Sequence, residues 1–417
     1  MSHPSSSEPG LIFGRQMRNI ADRTPTRLAV DYSNGHAEVE LASGIVVVSP
    51  LSGRAAKQGG EIGRTDYDPD LREQTITFHG GEKATFEVGP GEGPGMPVVY
   101  LDQNQWIMLA RQQWSPETIP MPHREGYARL AALAHERAII LPLSAAHVFE
   151  TARKGGRQRR QLATTMLQLS RGWQMRNPLK VRREELLCSV VGFHGGSAER
   201  QPRPVFTLDP DALFSSSEYA EKDSSAIDLH ARLTWAPALA ETLIEDEREA
   251  NEVARAKGER WAALHAEIAA RLAAGDASLG EKRATARMAV LGDLTDELAI
   301  AAAIAGLDTG GWAEWLVESE GAFLSMPAIG RVQEVTHQRL SNPQYPWRVN
   351  DLSDMHFLAC AAGYADFLLA EKATSHDLRR AERRVPSGAR ICRSPAELAD
   401  LVESGGREET RRLSGAR

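Results

Sequence analysis

Short apolar runs alternate with segments of helical spacing in two separated parts of the chain. The run at 98–101 is followed by apolar positions at helical spacing from Trp106 onwards, and the run at 138–143 is followed by Ser144, the expected N-cap of another helix. A third run lies at 365–370. Continuous apolar runs are typical of parallel strands, which are covered on both faces. The alternation of strands and helices therefore predicts an α/β domain with a parallel sheet, formed by residues 98–204 and 345–402.

Residues 27–88 instead show the period-two alternation of an antiparallel sheet. The segments 28–32 and 37–41 flank Asn34-Gly35, and the segments 75–78 and 84–88 flank Gly80-Gly81. Each pattern predicts a β-hairpin. Glycine and proline dominate 89–97, which predicts a linker after a small β module. The module contains no chemical motif, so we expect it to contact a partner or to pack against the rest of the chain.

Residues 205–344 predict a helical insertion into the α/β domain. The segments 254–274 and 282–305 are rich in Ala, Leu, Glu and Arg and have helical periodicity. We expect this insertion to cover the site as a lid or to dock a protein partner or inhibitor. Residues 1–26 predict an irregular N-terminus, and residues 403–417 predict a flexible tail.

Composition places the chain among ordinary globular proteins. It has 417 residues, of which 42% are hydrophobic and 25% are charged. Three widely separated cysteines, Cys188, Cys360 and Cys392, predict neither a disulfide framework nor a zinc site. The sequence shows no signal-peptide pattern and no apolar stretch of bilayer length. We therefore expect a cytoplasmic protein with no membrane partner.

Charge is segregated along the chain. The net charge is −7, yet residues 151–183 contain ten basic residues and no acidic one. Such a stretch is typical of a surface that binds a phosphate backbone, although a solvated basic helix face is the alternative. Residues 209–253 contain twelve acidic residues and three basic ones. Surfaces of opposite charge on one chain favour self-association, so a homo-oligomer is a further expectation.

Carboxylates follow each predicted strand of the α/β domain. Asp102 ends the first strand, and Glu150 lies in the helix after the second. Asp354, with Asp351 three residues before it, is expected to open an Ala-rich helix, and Glu371 follows the third strand. The carboxyl ends of parallel strands converge at one edge of a sheet, so we expect these side chains to lie close together.

Each carboxylate also has a simpler explanation. Asp102 or Asp351 would serve as a helix N-cap, as would Ser353 with Asp354 in the first helical turn. Glu150 would form an exposed ion pair with Lys154. The recurrence of acids at one sheet edge favours the functional interpretation, because several ionised carboxylates stay close together only when a cation is present. Hard oxygen ligands suit Mg²⁺ or Mn²⁺, which activate water and stabilise an in-line phosphoryl displacement.

These motifs resemble those of the PIN-like nucleases. The first family motif, an apolar strand followed by Asp, any residue and Asn or a hydroxyl residue, matches 101–107, and the second, a glutamate early in a helix, matches 143–150. Asp354 matches the third motif, with Asp351 as a helper. Glu371 matches the fourth, where the family more often has Asp preceded by Thr or Ser. Asp366 competes for that place, but it precedes the strand and would lie at the opposite sheet edge.

The resemblance implies a three-layer α/β sandwich and a metal-dependent ribonuclease, with a toxin-like or defence role. Asp102, Glu150, Asp354 and Glu371 would hold one or two Mg²⁺ or Mn²⁺ ions, and Asn104 would orient Asp102 or its metal. The RNA backbone would be held by basic residues: Arg153, Lys154, Arg157, Arg159, Arg160, Lys372 and Arg379.

Two other classes of protein remain open. A haloacid-dehalogenase-type phosphatase also begins with an Asp at a strand end, but it requires a second Asp two residues later, where this chain has Asn104. A non-catalytic binding or assembly module with the same PIN-like fold would use the carboxylates only as helix caps. Metal binding would separate that module from a nuclease.

Overall fold

The computed structural model describes residues 24–51, 60–89, 94–193, 203–210, 212–214, 225–244, 252–308, 311, 314–315, 320–385 and 388–414. The chain divides into two units between Thr85 and Phe86. Most of the predicted irregular N-terminus, residues 90–93 of the predicted linker and the last three residues of the predicted tail lie outside the described residues.

The first unit contains a six-stranded antiparallel sheet. Its strands are β1 Pro25–Asp31, β2 His36–Leu41, β3 Val46–Pro50, β4 Ile62–Asp68, β5 Glu73–Phe78 and β6 Lys83–Glu87, in the spatial order β3-β2-β1-β4-β5-β6. Both predicted hairpins are confirmed, as β1 with β2 and as β5 with β6. Gly35 has a φ of 70° and Gly81 a φ of 86°, and both tight turns need this left-handed conformation, which glycine adopts without strain.

The second unit is built on a small parallel sheet. Strands β7 Val99–Leu101, β10 Phe367–Leu369 and β11 Arg390–Ile391 pair in the order β11-β10-β7. Parallel bridges from Val98 to Ile140 and from Leu143 to Gln174 continue the sheet on the other side of β7. There β8 Gln174–Met175 pairs antiparallel with β9 Phe206–Thr207. The run predicted as a strand at 138–143 forms only these bridges, since Pro142 within it lacks a backbone donor.

The strand order gives β7 a central position. Segments that follow β7 in the chain lie on one side of it up to β8, and the later strands β10 and β11 lie on its other side. The direction of chain progression therefore reverses at β7. In open parallel sheets, ligands bind beyond the carboxyl ends of the strands at such a reversal.

Helices surround this sheet. In chain order they are Gln103–Trp114, Met121–His135, Ala145–Ala152, Gly156–Ser170, Pro178–Phe193, Ser225–Ile244, Glu252–Ala274, Leu279–Asp293, Thr295–Ala305, Glu320–Ser325, Pro327–Leu340, Val349–Tyr364, Lys372–Ala381 and Pro395–Ser414, with a 3₁₀ turn at Pro116–Thr118. Within the described ranges, none of the helices is both long enough and apolar enough to cross a lipid bilayer.

The predicted insertion shares its hydrophobic core with the parallel sheet. Tyr100 and Leu368 of the sheet belong to one buried cluster together with Val290, Phe323 and Val335. The helix Pro327–Leu340 also packs against Val349–Tyr364. These helices are therefore structural core, and the expected lid or docking role of the insertion stays a prediction. Helical periodicity shows which residues are buried, but it does not show what they are buried against.

Candidate active site

Asp102 lies where β7 ends, at the point where the strand order reverses. It is the N-cap of the helix Gln103–Trp114, and its Oδ1 accepts a hydrogen bond from the backbone N–H of Gln105 at 3.1 Å. Its Oδ2 accepts a second one from the backbone N–H of Glu371, at 2.6 Å. The carboxylate thus caps a helix and also joins the ends of β7 and β10. Burial raises the pKa of Asp102 to about 6.

Glu371, the residue of the fourth motif, contacts Asn104 of the first motif. It follows β10, and its exposed side chain accepts a hydrogen bond from the Asn104 amide through Oε1. Asn104 therefore contacts Glu371, another member of the expected ligand set, whereas the resemblance implied that it orients Asp102 or its metal. Asp366 lies at the other end of β10 and accepts from the backbone N–H of Val98 at 2.7 Å. It belongs to the opposite edge of the sheet, as predicted.

Glu150 is positioned by a buried histidine that the sequence reasoning left without a role. His147 lies in the same helix, Ala145–Ala152, and donates through Nε2–H to the carbonyl of Leu101 at 2.8 Å. Its Nδ1 accepts from the backbone N–H of Ser144 at 3.1 Å. Burial lowers the pKa of His147 to about 3, which keeps the ring neutral and able to accept at one nitrogen while donating at the other.

Three further contacts join β7 and its helix to the helix of Glu150 and its N-cap. The Tyr100 ring stacks on His147 with centroids 5.2 Å apart, and its hydroxyl is 2.9 Å from Ser144 Oγ. The Gln103 amide donates to Thr151 Oγ1 at 3.1 Å. Because these groups are buried, the segments that carry Asp102 and Glu150 are held together by buried polar and aromatic contacts.

The helix that carries Asp354 begins earlier than predicted. It runs from Val349, with Arg348 as N-cap, and Asp351 is its third residue. The Asp351 carboxylate reaches back and accepts from the backbone N–H of Arg348 at 2.7 Å. Neither Asp351 nor Ser353 is the N-cap, so both predicted caps are wrong, and Asp354 lies in the second turn.

Asp351 is committed to contacts within the fold. Its Oδ1 accepts from the Tyr345 hydroxyl at 3.0 Å and lies 3.4 Å from the buried guanidinium of Arg339. With Oδ2 bonded to Arg348, both oxygens have partners. We therefore leave Asp351 out of the proposed ligand set, although the sequence suggested it as a helper.

The variant Asp351→Asn tests this assignment. It loses the ion pair with Arg339 and one acceptor oxygen, so we expect the free energy of unfolding to fall by about 2 kcal/mol. Mn²⁺ affinity measured by calorimetry is expected to stay close to that of the wild type. A folded variant that no longer binds Mn²⁺ would return Asp351 to the ligand set.

The carboxylates of Asp102, Glu150, Asp354 and Glu371 interact electrostatically. Burial raises the pKa of Glu150 to about 7 and that of Asp354 to about 6, and each value also reflects repulsion by neighbouring acids. Glu150 is repelled by Asp354 and Asp102, Asp354 by Asp351 and Glu371, and Asp102 by Glu371. Each of these four carboxylates thus lies within electrostatic range of two of the others.

The predicted nucleic-acid-binding residues do not form one surface. Arg159 is buried and donates to the carbonyls of Leu243 and Thr242, at 2.8 and 3.0 Å, so the prediction that it contacts RNA is wrong. Arg379 is half-buried and donates to the carbonyl of Ile391 at 3.1 Å. The side chains of Arg153, Lys154, Arg157 and Lys372 are exposed, and that of Arg160 is half-buried.

Other arginines of the basic stretch form ion pairs with acids outside it. Arg171 pairs with Glu87, Arg176 with Glu184 and Arg182 with Glu297. Two residues of the stretch act electrostatically on the candidate site: Arg153 lowers the pKa of Glu150 and Asp354, and Lys154 lowers that of Glu150. Outside the stretch, the buried Arg339 also lowers the pKa of Asp354. The positive charge available to a ligand of this site is therefore concentrated at the end of the helix Ala145–Ala152.

In the part of the chain that the structure describes, no three His, Cys, Asp or Glu side chains are gathered in an arrangement that could hold a metal ion. No protein-family model, curated protein or solved structure matches this chain.

Proposed function

We propose that this protein is a divalent-metal-dependent nuclease with a PIN-like α/β domain, and that it hydrolyses phosphodiester bonds in RNA. The observation that carries the proposal is the position of Asp102 at the reversal in strand order, together with the repulsion that Asp102 and Asp354 both exert on Glu150; burial raises the pKa of all three carboxylates. The choice of RNA rests on the resemblance to PIN-like nucleases.

The residues present suit Mg²⁺ or Mn²⁺. Hard cations prefer carboxylate oxygens, and Mg²⁺ retains several waters while binding one or two carboxylates directly. Carboxylates separated by bound water therefore contribute to such a site without meeting at one point. Neutralisation of mutual repulsion between Glu150 and Asp354 is the favourable contribution that a cation would make here.

The bound cation would supply a water of lowered pKa and would neutralise charge on the phosphate. The chain's own residues then have separate tasks. Two backbone N–H groups fix the orientation of Asp102, and His147 holds the helix of Glu150 against the end of β7. Exposed Arg153, close enough to act on both Glu150 and Asp354, binds a substrate phosphate.

A non-catalytic module of the same fold is the alternative, and the helix cap formed by Asp102 favours it. In that case the carboxylates only stabilise helix starts and strand ends. The phosphatase class has no such support, because Asn104 donates to Glu371 and is not an acid.

Metal titration and cleavage assays on the wild-type protein distinguish the nuclease from the non-catalytic module. Calorimetric titration with Mn²⁺ and Mg²⁺ at pH 7.5 is expected to show at least one bound ion, and a labelled, unstructured RNA is expected to be cut only when the metal is present. Chelation with EDTA is the control. Metal binding without cleavage of any RNA would favour the non-catalytic module, and the absence of both would overturn the metal site as well.

A further inference from the structure

An exposed aromatic ring adjoins the candidate active site. Phe149 immediately precedes Glu150, and its side chain is 46% exposed, although the same short helix buries Ala145, Val148 and Thr151 completely. A single exposed apolar residue is ordinary and carries no argument by itself. The residues around Phe149 make its exposure relevant to ligand binding.

Phe149 is the outer member of a row of three aromatic rings. Its ring lies 6.3 Å from that of Phe214 at an interplanar angle of 67°, and Phe214 lies 6.1 Å from Trp235 at 68°. Both are edge-to-face contacts, the geometry that aromatic quadrupoles favour. The Phe149 ring is therefore held in a fixed orientation at the surface.

Two cationic residues follow directly after the helix Ala145–Ala152. Arg153 is the C-cap of this helix, four residues after Phe149 and three after Glu150, and its helical backbone conformation keeps it near both. Arg153 and Lys154 are both exposed. An exposed aromatic ring and two exposed cations thus lie between positions 149 and 154, beside Glu150.

This combination matches the chemistry of an unpaired nucleotide. Bases stack on aromatic side chains while the backbone phosphates contact basic residues, which is how proteins bind single strands without reading their sequence. In a duplex the faces of the bases are already stacked on one another, so an exposed ring cannot reach them.

We propose that Phe149 stacks on an unpaired base of a single-stranded nucleic acid whose phosphates contact Arg153 and Lys154. The inference rests on the proposed function in taking a nucleic acid as the ligand, and it adds the side chain that contacts a base, Phe149. Phe214 and Trp235 support the ring without touching the ligand.

Binding in EDTA tests this proposal independently of catalysis. Fluorescence anisotropy of a labelled oligouridylate is compared among the wild type, Phe149→Ala and Phe149→Leu, where leucine keeps an apolar side chain and removes the flat ring. We expect about tenfold weaker binding for both variants, in line with the loss of one stacked base. Phe193→Ala, the same substitution at a ring that is 37% exposed on another helix, is expected to bind like the wild type.

A blunt-ended RNA duplex, which has no unpaired base, supplies the second comparison. Its affinity is expected to be unchanged by Phe149→Ala. Equal losses for single strand and duplex would overturn the proposal, as would wild-type binding of the oligouridylate by Phe149→Ala or no binding by the wild type. If Phe149→Ala selectively loses single-strand binding and the wild type cuts no RNA, the stacking role is supported and the nuclease proposal is contradicted. If the wild type cuts RNA and Phe149→Ala has no effect, the nuclease proposal is supported and the stacking role is contradicted.

Discussion

Replacement of Asp102 by asparagine is expected to lower the rate of Mn²⁺-dependent RNA cleavage about 1000-fold or more. The neutral amide removes one negative charge from the end of β7. Its oxygen still accepts from the N–H of Gln105, but the other position now presents an N–H group to the N–H of Glu371. We expect that second contact to be lost at a cost of about 1 kcal/mol, which leaves the protein folded.

Asp354→Asn is expected to behave in the same way, although its carboxylate comes from a distant part of the chain. Asp400→Asn is the matched control, because this side chain is 68% exposed and pairs with Arg129. Initial rates at saturating Mn²⁺, with circular dichroism to verify folding, give the comparison. A folded Asp102→Asn variant with nearly the wild-type rate would remove Asp102 from the reaction.

Glu150→Gln is expected to make the metal-free protein more stable than the wild type at pH 8. The pKa of Glu150 is about 7 in the folded protein, against an ordinary value of 4.5. The stability that the protonated form contributes is present below pH 4.5 and is lost as the pH rises through 7. Glutamine has no charge to lose, so the stability difference should grow by about 2–3 kcal/mol between pH 5 and pH 8.

Urea unfolding in EDTA at pH 5 and pH 8 measures this difference. Addition of Mn²⁺ at pH 8 is expected to stabilise the wild type and to stabilise Glu150→Gln much less, because the variant has lost one of the acids that a cation neutralises. If the difference in stability between the wild type and Glu150→Gln is the same at pH 5 and pH 8, the pKa of Glu150 is not raised by its burial and its neighbours.

The first motif was predictable because it is local. The apolar run at 98–101 and the helix from Gln103 produce the strand end, and the position of Asp102 follows from them. His147 was recoverable in principle from its place three residues after Ser144, where a side chain can reach back to the helix start. Its bond to Leu101 comes from a neighbouring strand, which the sequence does not show.

The start of the Asp354 helix was not predictable from local preference. Asp is a common N-cap, so a start at Asp351 was expected. In the structure, Tyr345 and Arg339 hold that carboxylate inside the first turn instead. Tertiary contacts overrode a local preference of about 1 kcal/mol.

The charge pattern of residues 151–183 was a poor guide to the roles of individual arginines for a related reason. Residues 151–183 contain no acid, which argued against a purely structural role, but ion pairing does not require neighbours in sequence. Glu87 and Glu297 come from segments far along the chain and neutralise Arg171 and Arg182. Arg153 and Lys154, which lower the pKa of Glu150, are the residues of the stretch for which we propose contact with a phosphate.

The order of the carboxylates in the chain has a consequence for biosynthesis. Asp102 and Glu150 leave the ribosome long before Asp354 and Glu371, and the helices between them contribute to the core on which the sheet rests. A nascent chain that has not reached β10 lacks half of the proposed ligands and the strand that places Glu371 beside Asp102. If the protein is the proposed nuclease, it therefore stays inactive toward the messenger and the ribosomal RNA that surround it until the chain has been synthesised past Glu371.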